Sequence, residues 1–94
     1  MRAHGKHEAI VPLIKNVDVL YHESTFLEVH ADLCAKTKHS TAKQAAKIAK
    51  KAEVGTLILG HYSSRYTDLE NFKTEAQALF DRVELAEDGR IFLI

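Results

Sequence analysis

The sequence predicts an α/β fold in which the strands run parallel and are joined by helices. Two short and almost continuously apolar segments, 17–21 and 56–59, are typical of strands that are covered on both faces. Helical patterns lie between these segments and after the second one. Strand, helix, strand, helix and strand in this order is the signature of βαβ units with right-handed crossovers. We therefore expect one small unit over residues 1–94, with mostly parallel strands.

The first third of the chain carries the weaker signals. Residues 8–15 favour a short helix whose aliphatic side chains share one face. Pro12 is compatible with this helix only in its first turn, where the missing N–H leaves no hydrogen bond unmade. The strand 17–21 follows, and residues 26–35 are then predicted to be helical from a weak apolar pattern.

The clearest helix signal begins at Thr41. Thr41 and Gln44 have the spacing of a capping box, in which each side chain accepts a hydrogen bond from the other residue's backbone N–H. The helix predicted over 41–53 has alanines on one face and lysines on the opposite face, which we interpret as a solvated surface. Gly55 is expected to end this helix, and the strand 56–59 follows it.

The last third is predicted to contain one more helix and two strands. Thr67 and Glu70 have the spacing of a second helix cap. The buried face of the helix after them is predicted from five apolar side chains at helical spacing: Leu69, Phe72, Ala76, Leu79 and Phe80. Two short strands, 82–86 and 90–94, are expected on either side of a turn at 88–89.

Composition and charge limit the classes of partner. The chain is 46% hydrophobic and 28% charged, as in an ordinary soluble globular protein. Its 13 basic and 13 acidic residues cancel, so the overall charge gives no argument for a nucleic-acid partner. The single cysteine, Cys34, excludes an internal disulfide and is compatible with a reducing cytoplasm. No apolar run approaches the roughly 20 residues that span a bilayer, so we expect a cytoplasmic protein without a membrane partner.

Three histidines lie where predicted elements begin or end: His22, His39 and His61. His61 directly follows a strand and Gly60, and open α/β sheets bind ligands at the carboxyl ends of their strands. An imidazole held rigidly at a strand end is suited to bind a metal, so His61 is a candidate metal ligand. A histidine that is hydrogen-bonded to the turn would give the same sequence pattern. The polar residues after it have hydroxyl and guanidinium groups suited to phosphate oxygens, or to bonding the local turn: Ser63, Ser64 and Arg65.

Four motifs occur in order along the chain. They are His-Glu-Ser-Thr at 22–25, His-Ser-Thr at 39–41, Gly-His-Tyr-Ser-Ser-Arg-Tyr at 60–66 and Ala-Glu-Asp-Gly at 86–89. Together they resemble the C-terminal part of ribonuclease Z (tRNase Z), over residues 8–94. That family comprises zinc-dependent endoribonucleases of the metallo-β-lactamase fold. The resemblance implies the C-terminal half of an αββα sandwich, and an activity that removes 3′ trailers from precursor tRNA by phosphodiester hydrolysis.

The resemblance also implies roles for single residues. His61 corresponds to a histidine that coordinates one of two zinc ions. His39 corresponds to a histidine that lies beside the scissile phosphate and helps to protonate the leaving oxygen. Glu23 is expected to orient this neighbourhood through a hydrogen bond or an ion pair with Arg65, and a purely structural ion pair between the two residues is an equal alternative. His22 is interpreted as a residue that shapes its loop.

One part of the family pattern does not occur in these 94 residues. The metal-binding run His-x-His-x-Asp-His is missing, and His4 stands where the family has an aspartate that bridges two metals. Because one histidine cannot hold zinc tightly, we expect weak or absent zinc binding and no catalysis by the chain alone. Half a sandwich exposes a sheet face and an edge, which predicts a dimer, another homo-oligomer or a complementing N-terminal half. The alternative is a non-catalytic or self-associating module that binds RNA or phosphate weakly.

Overall fold

A three-stranded sheet forms the centre of the computed structural model, which describes residues 10–87. The strands are β1 (Val19–Glu23), β2 (Thr56–Gly60) and β3 (Val83–Leu85). They lie in the order β1-β2-β3, and both neighbouring pairs are parallel. The predicted α/β fold with parallel strands is therefore confirmed.

Within the described part of the chain, four helices and one 3-10 turn accompany the strands. In chain order they are α1 (Val11–Ile14), the 3-10 turn Glu28–His30, α2 (Ala31–Thr37), α3 (Ala42–Ala52) and α4 (Glu70–Gln77). α3 lies in the connection from β1 to β2, and α4 lies in the connection from β2 to β3. Among residues 10–87, no helix has both the length and the apolar character needed to cross a membrane.

α3 packs against the sheet through its alanine face. The predicted stripe is confirmed, since none of its members exposes any surface: Ala42, Ala45, Ala46, Ala49 and Ala52. Short side chains allow a helix to approach its neighbour closely. The sheet face beneath it belongs to the same core cluster and consists of Leu20, Leu57, Leu59, Val83 and Leu85. In the register, Leu20 lies opposite Leu57, and Phe72 of α4 completes the core as its largest fully buried side chain.

α3 begins as predicted but ends differently. Thr41 Oγ1 accepts a hydrogen bond from Gln44 N at 3.0 Å, and Gln44 Oε1 accepts one from Thr41 N at 3.0 Å, so the capping box is confirmed. The last turn ends through Glu53, whose backbone is left-handed with φ of 56°, and not through Gly55. Gly55 is required for a different reason, because a Cβ there would lie 2.5 Å from the backbone oxygen of Asp18.

β1 lies two residues further along the chain than predicted. The predicted strand, 17–21, stopped at the last apolar residue. The ladder continues instead through His22 and Glu23, which lie opposite Leu59 and Gly60. Backbone pairing places no apolar requirement on side chains at the end of a strand, so the hydrophobic pattern underestimates its reach.

The predicted helix over 26–35 is wrong at its start. Phe26 forms an isolated parallel bridge with Thr41. Its N–H donates to Ser40 O at 3.3 Å, and its own carbonyl accepts from Ala42 N at 3.1 Å. These bonds hold the residue in an extended conformation, and helical structure begins only at the 3-10 turn before α2.

The predicted cap at Thr67 is also wrong. α4 begins after Leu69, whose side chain makes no capping hydrogen bond, and Asp68 Oδ1 accepts one from Glu70 N at 3.0 Å. Aspartate is a stronger helix-capping residue than threonine, and it lies nearer to the first turn. Three predicted features lie outside the described residues: His4, the turn at 88–89 and the strand 90–94.

The second face of the sheet is exposed at β1 but buried at β2 within residues 10–87. Tyr21 of β1 is 58% exposed, so the prediction that this strand is covered on both faces is wrong here. Its ring lies over Gly60, where any Cβ would collide with the tyrosine oxygen. Ile58, opposite Tyr21 in the register, is only 5% exposed. The exposure on this face is therefore local to Tyr21 and does not extend to β2.

Candidate active site at the carboxyl ends of the strands

Three loops meet at the carboxyl ends of β1 and β2. Ser24, in the loop after β1, donates its N–H and its hydroxyl to the carbonyl oxygen of Gly60, at 2.8 and 3.2 Å. Ser63, in the loop after β2, donates its N–H to Thr25 O at 2.9 Å. The bridge at Phe26 attaches the loop that precedes α3. Backbone bonds therefore hold all three loops in one arrangement.

These loops bring Glu23, His39 and His61 together. Each residue offers one nitrogen or oxygen atom, and these atoms all lie within 4.8 Å of one another. His39 Nδ1 lies 3.6 Å from Glu23 Oε1. The rings of His39 and His61 have their centroids 5.2 Å apart. The three side chains named from the sequence motifs thus form one cluster at the edge where parallel sheets bind ligands.

Thr25 connects two members of this cluster. Its hydroxyl donates to Glu23 Oε1 at 2.8 Å and lies 2.9 Å from His61 Nδ1. Its backbone N–H donates to the same Glu23 oxygen at 3.2 Å. Thr25 was not predicted as a site residue from the sequence, although it belongs to the His-Glu-Ser-Thr motif. Thr25 lies two residues after Glu23, a spacing at which a side chain often accepts a hydrogen bond from the later backbone N–H. This spacing was the sequence signal that could have identified Thr25.

His61 has an unusual backbone conformation. Its φ is 58°, in the left-handed region, directly after the last residue of β2. This region costs roughly 1–2 kcal/mol for most residues, although histidine enters it more often than most. The side chain is exposed to solvent, apart from its bond to Thr25. The chain therefore turns sharply at this point and presents the imidazole at the surface.

His39 lies beside the start of α3, as predicted. Thr41 is the N-cap residue, so His39 stands two residues before the cap. Its ring also meets the edge of the Phe26 ring, with 6.3 Å between centroids. About a third of its side chain remains exposed, and an external ligand can therefore reach it.

The predicted ion pair between Glu23 and Arg65 is not formed in the described structure. The guanidinium carbon of Arg65 lies 5.8 Å from the centroid of the Phe26 ring, and Glu23 pairs with His39 and Thr25 instead. Ser63 Oγ accepts a hydrogen bond from Arg65 N at 3.3 Å, which is the turn-forming role considered for it. Ser64 and Arg65 are exposed, so both remain accessible to a ligand.

His22 takes no part in the cluster. Its Nδ1 lies 2.7 Å from the carbonyl oxygen of Glu23, the next residue, and the side chain is partly buried. This contact is compatible with a residue that shapes its own loop. The structure thus separates His22 from the two histidines that meet at the site.

Cys34 is a free and buried cysteine. Desolvation by burial, with a smaller contribution from the Glu23 carboxylate, raises the pKa of its thiol from the ordinary value of 9.0 to about 11. Because the thiolate is the reactive form, a raised pKa makes this thiol a weak nucleophile at neutral pH. The prediction that Cys34 is inert fits its surroundings.

Proteins of known identity are similar in sequence to this chain. The ribonuclease Z of Cytophaga hutchinsonii is 54% identical over 88 residues, which are 94% of this chain and 28% of that protein. The ribonuclease Z of Parabacteroides distasonis is 51% identical over 83 residues, which are 88% of this chain and 27% of that protein. The chain is similar to ribonuclease Z over most of its length. It spans just over a quarter of the length of these curated relatives. No protein-family model matches it.

Two solved structures are similar to this chain, one a metallo-β-lactamase fold protein and the other a tRNase Z. The metallo-β-lactamase fold protein YhfI from Bacillus subtilis matches with a TM-score of 0.77 and 30% identity, over 87% of this chain and 33% of that one. The short form of human tRNase Z matches with a TM-score of 0.71 and 32% identity, over 89% of this chain and 27% of that one. The predicted resemblance to ribonuclease Z and the predicted partial metallo-β-lactamase-like sandwich are therefore confirmed.

The donor atoms of Glu23, His39 and His61 fit one part of a zinc site. Imidazole nitrogens and carboxylate oxygens are both zinc ligands, and catalytic sites use three of them from the protein. Glu23 Oε1, however, already accepts two hydrogen bonds from Thr25. His61 bonds through Nδ1 only, and its other ring nitrogen, Nε2, is on the opposite side of the ring. His61 is thus the residue best suited to ligate a metal, and Glu23 the one best suited to orient its neighbours.

Proposed function

We propose that this chain forms part of the active site of a zinc-dependent endoribonuclease that removes 3′ trailers from precursor tRNA. The observation that carries the proposal is the convergence of Glu23, His39 and His61 at one edge of the sheet. About 50% identity to curated ribonuclease Z proteins supports it. Histidine and glutamate are among the residue types that serve in metal-assisted hydrolysis of a phosphodiester.

In this proposal, His61 holds zinc through Nε2. Bound zinc supplies two kinds of chemistry, activation of water and stabilisation of charge on phosphate oxygens. The sharp turn at φ 58° aims the ring out of the sheet edge, and Thr25 holds its other nitrogen. A ligand that is already oriented loses less freedom when it binds a metal.

His39 is proposed as the proton donor to the leaving oxygen. Its Nδ1 faces Glu23 Oε1 at 3.6 Å, so the carboxylate orients the ring and leaves Nε2–H for the substrate. The ring is close to His61, which places the donor beside the zinc ligand. General acid catalysis by a positioned histidine is worth about 10²–10⁴ in rate.

Ser63, Ser64 and Arg65 are proposed as contacts to the phosphate backbone. The loop that carries them continues directly from His61. Arg65 lies 5.8 Å from the centroid of the Phe26 ring, and His39 contacts the same ring at 6.3 Å between centroids. Hydroxyl and guanidinium groups are common partners of nucleic-acid phosphates.

The proposal requires zinc ligands beyond those in this cluster. A segment with the His-x-His-x-Asp-His run would complete the site. This chain is proposed to bind zinc weakly and to be inactive by itself. The location proposed for it is the cytoplasm, where precursor tRNA would be its partner. A neutral chain with one buried, unreactive cysteine is compatible with that location.

Self-association is proposed as a property of the isolated chain. Tyr21 on β1 is a large hydrophobic side chain that is 58% exposed, and exposed apolar surface favours association. Light scattering over a concentration series is the test. A dimer or larger species is expected, and a monomer throughout the series would contradict this part of the proposal.

The function is tested by complementation. Cleavage of a precursor-tRNA transcript and zinc content are measured for this chain, for a separate segment carrying the His-x-His-x-Asp-His run, and for the mixture. Cleavage is expected only in the mixture. His61→Ala should abolish it, and His30→Gln, at a histidine that bonds Tyr66 outside the cluster, should leave it unchanged.

Two results would contradict the enzymatic proposal. One is a mixture that folds and associates but does not cleave the transcript. The other is His61→Ala retaining full cleavage. Salt-dependent RNA binding without any cleavage would favour the alternative, a non-catalytic RNA-binding module.

A further inference from the structure

The hydroxyl of Thr25 joins a carboxylate to an imidazole. It lies 2.8 Å from Glu23 Oε1 and 2.9 Å from His61 Nδ1. The Thr25 backbone N–H also donates to Glu23 Oε1, at 3.2 Å, which fixes the position of the carboxylate oxygen. Thr25 is itself buried, with 6% of its surface exposed, so water competes little for these bonds.

The direction of each hydrogen bond follows from a count of protons. An ionised carboxylate can only accept, and a threonine hydroxyl has a single hydrogen to donate. That hydrogen therefore goes to Glu23 Oε1. The Thr25 oxygen must then accept from His61, which requires a proton on Nδ1. With the ring neutral, Nε2 is left with the lone pair.

We propose that Thr25 is a positioning residue whose hydroxyl holds His61 in the Nδ1–H tautomer and reserves Nε2 for zinc. The role of zinc in this statement rests on the proposed function. The tautomer does not, because it is a property of the metal-free chain. Metal-binding histidines commonly donate their second ring N–H to a fixed acceptor, which sets the tautomer and the ring orientation.

Without this acceptor the preference should reverse. A free histidine side chain favours the Nε2–H tautomer, which would block the nitrogen that faces away from Thr25. The left-handed turn at residue 61 orients the backbone but does not choose between the two nitrogens. The hydroxyl of Thr25 is the group that makes this choice.

The test uses nitrogen NMR of the metal-free chain, with the histidines labelled with ¹⁵N. Long-range proton–nitrogen spectra at about pH 8, where an ordinary imidazole is neutral, distinguish the protonated ring nitrogen from the bare one. In the unmodified chain, His61 is expected to be protonated on Nδ1. A spectrum with His61 protonated mainly on Nε2 would overturn the proposal without the need for any variant.

Three variants isolate the hydroxyl. Thr25→Val keeps the shape and removes the hydroxyl, and should move His61 toward the Nε2–H tautomer. Thr25→Ser keeps the hydroxyl and should preserve the Nδ1–H tautomer. Thr37→Val is the matched control, since that hydroxyl donates only to Leu33 O on an exposed part of α2. An unchanged tautomer in folded Thr25→Val would overturn the proposal. If circular dichroism shows that Thr25→Val is unfolded, the tautomer in Thr25→Ser and in the unmodified chain decides.

Zinc titration separates this inference from the proposed function. Loss of an acceptor behind a metal-binding histidine costs about 10–100-fold in affinity, which is the decrease expected for Thr25→Val. The Thr25→Ser affinity should stay close to that of the unmodified chain. If His61 has the Nδ1–H tautomer and no zinc binds, even with the complementing segment, then the zinc function fails while the tautomer assignment stands.

Discussion

The helix-covered face of the sheet and its carboxyl edge are stabilised in opposite ways. On the covered face, α3 contributes fully buried alanines, and the facing side chains are aliphatic. At the carboxyl edge, the buried polar residues are all hydroxylic: Ser24, Thr25, Ser40 and Thr41. Within residues 10–87, no buried side-chain nitrogen or oxygen lacks a hydrogen-bond partner. Volume decides the fit on one surface, and the pairing of donors with acceptors decides it on the other.

Substitutions on the covered face and at the carboxyl edge should therefore affect different properties, the first mainly stability and the second mainly catalysis. A change in volume on the covered face costs free energy of unfolding in proportion to the cavity left behind. Changes at the edge remove single bonds of about 1 kcal/mol, yet they can remove a catalytic group. We therefore expect the covered face to determine whether the chain folds, and the edge to determine what it does. The following substitutions test this division.

The largest effect is expected on catalysis, at the edge. His39→Gln should lower the rate of precursor-tRNA cleavage in the complemented assay by about 10²–10⁴, because glutamine cannot donate a proton as an acid. The free energy of unfolding, measured with urea, should change little, since the side chain is partly exposed. Cleavage within tenfold of the unmodified chain would show that His39 is not the proton donor.

The largest effect on stability is expected on the covered face. Phe72 is fully buried against Tyr62 and Tyr66, with ring centroids 4.9 and 5.0 Å away. Phe72→Ala should lower the free energy of unfolding by about 3–5 kcal/mol, measured by circular dichroism in urea. Leu13→Ala is the control, because Leu13 is 82% exposed and should change stability by less than about 0.5 kcal/mol. Equal effects at the two positions would contradict the assignment of the core.

Cys34 is expected to make the free energy of unfolding depend on pH. Its thiol has a pKa raised from 9.0 to about 11 in the folded chain, so the folded state keeps a proton that the unfolded state releases. Stability from this group is therefore complete below about pH 9 and is lost as the pH rises toward 11, by about 2–3 kcal/mol in all.

Urea denaturation at several pH values, with Cys34→Ala as the reference, measures this loss. The reference cancels the titration of lysines and tyrosines, which the two proteins share. The difference in free energy of unfolding between the two proteins should fall across that interval. A difference that is constant with pH would show that the thiol is not desolvated.

The smallest of these effects is expected at the cap of α3, where the edge and the covered face meet. Thr41 Oγ1 accepts from Gln44 N and donates to Glu28 Oε1 at 2.8 Å. Thr41→Ala should lower the free energy of unfolding by about 1 kcal/mol, within the usual range for an N-cap residue. Thr41→Ser keeps both bonds and should cost less. If serine and alanine are equally destabilising, the methyl group rather than the hydroxyl stabilises this position.

The sequence was sufficient for the fold class, the alanine face of α3 and three members of the cluster. Each of these depends on a local pattern: alternation of elements, helical spacing, or a short motif that contains the residue itself. Glu23, His39 and His61 were found in this way. Patterns of this kind are specified by neighbouring residues, so they survive without coordinates.

The features that were missed depend on contacts between distant segments. Phe26 is extended because Ser40 and Ala42 bond its backbone, which the weak helical pattern does not reveal. Arg65 lies against Phe26 rather than pairing with Glu23, because the carboxylate already has Thr25 and His39 as partners. The tertiary arrangement decides which of several suitable partners each side chain takes.

A single atom, Glu23 Oε1, serves both loops that carry the histidines. If a bound substrate shifts Glu23 Oε1 toward His39, the hydrogen bonds from Thr25 to this oxygen should lengthen. The hydrogen bond between Thr25 and His61 should then change as well. A change in the position of one imidazole should therefore affect the other through their shared contacts with Glu23 and Thr25. Losses from substitutions at 39 and 61 should consequently fail to add, and the two positions would behave as one thermodynamic unit.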